Sequence, residues 1–263
     1  MAANYKNWVP NGMIAGLSCA TGVLAACTAG TALFGKKLDP RIRTAAVAVA
    51  GVGTAACGAA LAWSVMAHKK FSYDGSRQLS KEIIDGVASY VYLPKDGKGL
   101  DVGCGSGALT IACAKRNPQG TFIGIDRWGK EYASFNRELC EQNAEEEEVD
   151  NVSFEQGDAV KLDFPDEYFD AVTSNYVYHN INGVNKQELL LETLRVLKKG
   201  GCFVIHDIMS NGRYGDMEQF AEKLRSEGYE RVELITTDNG MFMTKSEAII
   251  LGLSGSKILL GVK

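Results

Sequence analysis

Histidine, proline and organised cysteine are scarce in this chain of 263 residues, which has three histidines and five prolines. Its seven cysteines are scattered and odd in number, with neither metal-ligand spacing nor a paired framework. That excludes a disulfide scaffold, points to a reducing compartment and leaves no metal site to expect. No internal repeat is visible, and the one low-complexity tract, Glu145 to Glu148, reads as a solvated helix end. Clustered basic residues are missing beyond residue 70, where 21 basic side chains face 31 acidic ones. Phosphate binding needs clustered Lys and Arg, so no nucleic-acid partner is expected.

What is present begins with a division of charge. The first 70 residues carry a balance of +6 and the remainder −10, which together give the net −4. A shift of this kind marks a boundary, and the length suits one large α/β domain with an appendage. From Asn7 to Gly35 there are 29 residues without a charge, and from Thr44 to Ala67 another 24. Both exceed the roughly 20 residues with which a helix crosses a hydrocarbon core. Between them GKKLDPRIR (Gly35 to Arg43) supplies a basic turn with Pro40 as a breaker.

The simplest reading is a membrane-anchoring helical hairpin over residues 1–70, with lipid against residues 12–34 and 44–67. Small residues recur at intervals of four (Gly12 and Gly16, Gly51 and Ala55, Thr54 and Gly58), as close helix packing in lipid requires. The second stretch holds ten Ala and three Gly in 24 residues, less lipophilic than Leu or Ile, so a soluble helical arm competes with this reading. A cleaved signal peptide competes for the first stretch alone. Four basic residues in the loop stand against five at the flanks (Lys6, Lys69, Lys70, Arg77, Lys81), so charge leaves the orientation open.

After residue 70 short apolar runs alternate with amphipathic stretches, the pattern of βαβ units. Leu79, Ile83, Val87 and Val91 share one face of a helix expected over 78–92. Strands are expected at GLDVG, TFIGID, NVSFEQ, FDAVTSN, GCFVIHD, RVELITT and SKILLGVK. Helices are expected at ALTIACAKR, KEYASFNRELCEQNA, KQELLLETLRVL and DMEQFAEKLRSEG. The expected fold is therefore α/β, with a Rossmann-like, mostly parallel seven-stranded sheet and flanking helices, preceded by two apolar transmembrane helices.

The first strand runs into LDVGCGSGALT, in which Gly103, Gly105 and Gly107 permit a tight turn and a close approach of backbone to ligand. Taken alone this turn also satisfies the dinucleotide pattern, and Asp126 lies at about the right distance for a ribose, so an NAD(P)-dependent oxidoreductase is the alternative. Two features favour a phosphate-free nucleoside. Asp101 stands two residues before the first glycine, where a carboxylate suits a cationic ligand better than a pyrophosphate. Asp158, in QGDA, adds an acid at a third strand end, and no P-loop lysine is present.

LDVGCGSG, GID, QGDA, FPDEYFDAV and LKKGG occur in that order, and over residues 71–263 the chain resembles the class I S-adenosylmethionine-dependent methyltransferases. The resemblance implies S-adenosylmethionine as cofactor, with Asp101 and the turn from Gly103 through Cys104 and Gly105 to Gly107 holding its methionine portion. It implies that Asp126 accepts the ribose hydroxyls and that Asp158 with the Ala159 amide reads the adenine edge. Arg127 and Trp128 either flank the adenine or lie at the surface, and Asn175 is a candidate both for the cofactor set and for the acceptor pocket. Lys199 departs from the pattern, since family members often carry Pro before the paired glycines; the expected effect is confined to the turn 199–201.

Methyl transfer from a sulfonium depends chiefly on positioning the acceptor, and a base is required only for an acceptor proton of high pKa. His179 and His206, at or just beyond expected strand ends, are the candidate catalytic residues; a structural histidine is the competing reading of each. His206 with Asp207 is too small a set for a metal. Tyr176 and Tyr178, with Tyr73 after the hairpin, are candidate substrate contacts. A hairpin in lipid favours a small, lipid-like acceptor such as a quinone or isoprenoid, and the segment after the fourth strand loosely resembles the quinone C-methyltransferases. The expected location is the membrane, with the catalytic domain on the cytoplasmic side where the cofactor is made. A non-catalytic membrane scaffold that binds the cofactor is a further alternative; the oligomeric state is left open.

Overall fold

The computed structural model describes residues 3–129 and 134–263. The chain divides into two compact units, one formed by residues 7–80 and the other by the N-terminal residues up to Lys6 together with Lys81–Lys263. This differs from the expected boundary at residue 70 in two ways. The start of the chain belongs to the larger unit, and the smaller unit continues ten residues past the boundary expected from composition.

The smaller unit is a helical hairpin of α1 (Asn11–Phe34) and α2 (Pro40–Phe71), and these are long and apolar enough to cross a membrane. A 3₁₀ turn at Gly35–Lys37 joins them, and Asp39 caps α2 by accepting from the Arg41 and Ile42 amides. Gly51 and Gly58 face the other helix, where an added Cβ would lie 4.0 Å from the Thr28 methyl and 3.9 Å from the Thr21 methyl. The Thr28 and Thr54 hydroxyls are 3.5 Å apart across the same seam. Gly12 and Gly16, the other expected small pair, meet nothing within 4 Å and lie off it. Ser18, Thr21, Thr28, Thr54 and Ser64 each donate to the carbonyl four residues back, so these hydroxyls are satisfied within their own helices. At the open end the Asn7 amide donates to the His68 carbonyl at 2.8 Å, and His68 Nδ1 donates to the Val9 carbonyl at 2.7 Å.

The larger unit carries a seven-stranded sheet in the order β3-β2-β1-β4-β5-β7-β6. Its strands are β1 (Lys98–Val102), β2 (Thr121–Asp126), β3 (Val152–Gln156), β4 (Phe169–Asn175), β5 (Leu197–Ile208), β6 (Arg231–Thr236) and β7 (Ser256–Val262). All pairs are parallel except those of β7, which is antiparallel to both β5 and β6. The mostly parallel α/β expectation is met. Helices α3 (Leu79–Ala88), α4 (Ala108–Arg116), α5 (Arg137–Glu146), α6 (Lys186–Arg195), α7 (Asn211–Tyr214), α8 (Met217–Ser226) and α9 (Lys245–Leu251) flank the sheet.

Three elements depart from expectation. The helix α5 begins at Arg137, capped by Asn136, whose side chain accepts from the Leu139 amide; residues 130–133 of the expected helix lie outside the described residues. β5 starts at Leu197 and absorbs LKKGG, with Gly200 at φ +76° and its amide donating to the Lys263 carbonyl. The departure at Lys199 is thus taken up inside a strand. Helix α9 was not expected, although Thr244 and Glu247 form a reciprocal capping box at its start.

Two apolar clusters hold the sheet. Leu189, Leu190 and Leu194 of α6 and Phe220 and Leu224 of α8 pack with Val172, Phe203 and Leu259 of the strands. Ile111, Cys140, Ala144 and Phe154 form the second, joined by partly buried Tyr5 and Trp128.

Candidate active site

The C-terminal ends of β1, β2, β4 and β5 converge on one edge of the sheet, the edge where open α/β sheets bind ligands. The β1 turn is built on three residues with positive φ, Gly103 (+77°), Gly105 (+56°) and Gly107 (+82°). Their reasons differ. A Cβ on Gly103 would stand 2.4 Å from Val177 Cγ2, and one on Gly107 would stand 3.0 Å from the Phe154 ring, so both are packed against neighbours. Gly105 would meet nothing within 4 Å; its Cα faces open space. The turn is pinned by the Gly103 and Cys104 amides donating to the Ile125 carbonyl at 2.8 and 3.0 Å.

Asp126, ending β2, receives the Gly105 amide on one carboxylate oxygen at 2.9 Å and the Trp128 amide on the other at 2.8 Å. Trp128 also donates from its indole to the Gly105 carbonyl at 3.0 Å, from a backbone at φ +43°. The ring is therefore latched to the glycine turn, and Arg127 is exposed. Asp158 is exposed, and its carboxylate accepts from the Val160 amide at 2.9 Å, while Ala159 packs against the core.

Asp101 lies beneath the turn, 1% exposed, with its oxygens held by the Thr110 and Thr173 hydroxyls at 2.7 and 3.0 Å. Burial pushes its carboxyl up to about 6, against the pull of those two hydrogen bonds. Asp101 supplies a buried negative charge below the cradle and ties β1 to α4 and β4.

Two sequence candidates are corrected by burial. His206 is fully buried, bonded through Nδ1 to Asn175 Oδ1 at 2.8 Å and through Nε2 to Thr237 Oγ1 at 2.9 Å. Burial drives its pKa down to about 3, so it is a neutral structural residue and not a catalytic one. The bond also engages the Asn175 side-chain oxygen. Tyr178 is fully buried with its hydroxyl 2.5 Å from Thr193 Oγ1, and so is no substrate contact. Tyr176 is half-buried, its hydroxyl 2.8 Å from Ser256 Oγ. Tyr73 belongs to the smaller unit.

His179 is placed differently. Its Nδ1 lies 2.5 Å from Asp207 Oδ1, and its backbone amide donates to Asp207 Oδ2 at 3.1 Å. Tyr214 donates to Oδ2 at 2.8 Å and the Ile208 amide to Oδ1 at 2.6 Å. Burial alone would raise the Asp207 carboxyl, but these bonds, led by that from His179, hold it below the usual range. Adjacent residues of a strand point to opposite sides, so His206 and Asp207 cannot act as the pair that their adjacency suggests. The partner of Asp207 comes from 28 residues away and leaves no local signal.

A profile of the methyltransferase domain matches residues 93–248, more than half of the chain. The chain belongs to the methyltransferase domain family. An uncharacterized methyltransferase of Schizosaccharomyces pombe is 34% identical over 123 residues, covering 45% of this chain and 43% of that protein. A demethylmenaquinone methyltransferase of Lactobacillus johnsonii is 37% identical over 103 residues, covering 39% of this chain and 40% of that protein. The methyltransferase domain thus matches about two fifths of the length of these curated relatives. Its fold is shared with the [4+2]-cyclase SpnF, at a TM-score of 0.54 and 22% identity, covering 71% of this chain and 82% of that one.

Proposed function

We propose that the protein is a membrane-anchored S-adenosylmethionine-dependent methyltransferase acting on a small, lipid-like acceptor. The observation that carries the cofactor is the open space over Gly105, flanked by the Asp126 carboxylate and underlain by the buried Asp101 charge. A nucleoside bearing a sulfonium and an ammonium fits such an anionic cradle; a pyrophosphate does not. When bound, the cofactor supplies an electrophilic methyl group. The Gly103–Gly107 turn, with Cys104 inside it, would seat the methionine portion, Asp126 the ribose, Trp128 one side of the base, and Asp158 with Ala159 its amino edge. His179, just beyond β4, is the base or acceptor contact.

Both ends of the hairpin connect to one unit, as two crossings of a bilayer require, and its hydroxyls are satisfied internally, as hydrocarbon demands. Lipid around residues 12–34 and 44–67, with the larger unit on the cytoplasmic side, is the consistent arrangement. The quinone acceptor of the Lactobacillus relative is a membrane-soluble molecule and supports the acceptor class.

Titration calorimetry tests the cofactor. Wild type binds S-adenosylmethionine and its demethylated product, and Asp126→Ala weakens both by about 10- to 100-fold, the loss of a charge-assisted hydrogen-bond pair. Binding of NAD instead would replace this reading with an oxidoreductase. Cofactor binding with no labelled methyl passed to a membrane lipid extract would replace it with a scaffold, or with chemistry of the kind named for the cyclase of shared fold. Release of the protein by carbonate washing would defeat the anchor.

A further inference from the structure

We infer that the tip of the hairpin is a binding surface for anionic phospholipid head groups. The inference rests on the reading above that the hairpin lies in lipid, and deepens it by naming the lipid that the tip selects. Four basic residues, Lys36, Lys37, Arg41 and Arg43, crowd the short segment from Gly35 to Arg43. Asp39 is the one acid in the first 70 residues, and its carboxylate is engaged in capping α2, accepting from the Arg41 amide at 2.8 Å and the Ile42 amide at 3.4 Å. Arg43 is engaged too, because its guanidinium donates to the Ala32 carbonyl in the last turn of α1. Lys36, Lys37 and Arg41 are left exposed, and among the described residues none of them forms an ion pair. Three cations at one end of a hairpin, with no counter-ion of their own, attract an anion from outside.

The height of these groups fits the head-group layer. Arg43 meets Ala32 at the level where the charge-free run of α2 starts, at Thr44. That run of 24 residues extends about 36 Å, against a hydrocarbon thickness of about 30 Å. With the run in the bilayer, Lys36, Lys37 and Arg41 stand within about one turn of the hydrocarbon boundary, where their long side chains reach lipid phosphate. Leu33, Phe34, Leu38 and Ile42 are exposed around the same tip, Phe34 by 82%. This belt continues the exposed apolar surface of α1 and α2, so the partner must present hydrocarbon beside negative charge. An acidic protein surface meets only the second demand. An anionic phospholipid meets both, and a guanidinium such as that of Arg41 pairs with a phosphodiester through two parallel hydrogen bonds. Zwitterionic lipid offers the hydrocarbon without net charge, so preference between the two lipids is the signature of the surface.

Photocrosslinking reads the lipid at the tip directly. Full-length protein with p-benzoylphenylalanine in place of Phe34 is reconstituted in nanodiscs of equal phosphatidylglycerol and phosphatidylcholine with matched acyl chains. After irradiation, mass spectrometry counts the two lipid adducts on the peptide that contains position 34. At low salt about 5-fold more phosphatidylglycerol than phosphatidylcholine is expected, falling towards parity at about 1 M salt. The combined variant Lys36→Gln, Lys37→Gln and Arg41→Gln is expected to take up the two lipids equally. The same probe in place of Val23, midway along α1, reports whether the hairpin is in lipid at all. Lipid adducts at position 23 with equal uptake at position 34 overturn the head-group surface and leave the anchor standing, as does a preference that survives in the combined variant. Adducts at position 23 and none at position 34 also overturn the surface. Absence of lipid adducts at both positions overturns the membrane reading itself.

Discussion

Asp101 carries a charge that two hydroxyls hold and that no cation among the described residues neutralises. Its folded pKa of about 6 stands above the ordinary 3.8, so the fold binds this proton more tightly than the unfolded chain does. The stabilisation is fully present below pH 3.8, is lost as pH rises through about 6, and stays lost above. Asp101→Asn should therefore raise unfolding free energy at pH 8 by up to about 3 kcal/mol, with the gain shrinking at pH 5, as urea melts at the two pH values would record. The same variant should bind S-adenosylmethionine about 10-fold more weakly, because the cradle loses its anion. A fold made stronger and a ligand held more loosely is a combination that a purely structural carboxylate would not give. Gly103→Ala has no such benefit: a positive φ and a 2.4 Å approach to Val177 together cost about 2–4 kcal/mol, visible as a lowered melting temperature.

At the scale of elements, α5 does more than cover the sheet. Its Asn143, 1% exposed, accepts from the Asn4 amide at 2.7 Å and donates to the Asn4 carbonyl at 3.3 Å and the Ser106 carbonyl at 3.0 Å. One side chain thus fastens both the chain start and the glycine turn. Asn143→Ala leaves these buried groups unpaired and should cost about 1–3 kcal/mol, with faster amide exchange at Asn4 than in wild type. Conventional amphipathic spacing made a flanking helix legible, as with Leu79, Ile83 and Val87 in α3. The short α7 was beyond that method, because four residues carry no period. The T-x-x-E box of α9 was written in the sequence; Thr244→Ala should cost about 1 kcal/mol in chemical denaturation.

For the whole molecule, the chain leaves the larger unit after Lys6 and returns to it at Lys81. If α1 and α2 lie in lipid, Cys19, Cys27 and Cys57 are shielded, though in the isolated chain the first two are exposed. A membrane-impermeant maleimide should leave all three unlabelled in sealed vesicles, while a cysteine placed at Lys37 labels from the face opposite the larger unit. Peptide mapping that finds Cys27 labelled as readily as the control would remove the anchor. Two apolar runs, a glycine turn after an apolar strand, and acids at successive strand ends were fixed by the sequence alone, because each is a local pattern readable within about 20 residues. Which of the residues near those strand ends remain open to chemistry was decided only by tertiary structure. His206 and Tyr178 find Thr237 and Thr193 from other elements and are sealed in the core, whereas His179 meets Asp207 of β5 and stays partly exposed. Exposure and protonation depend on partners brought together from distant positions, and no spacing along the chain records them.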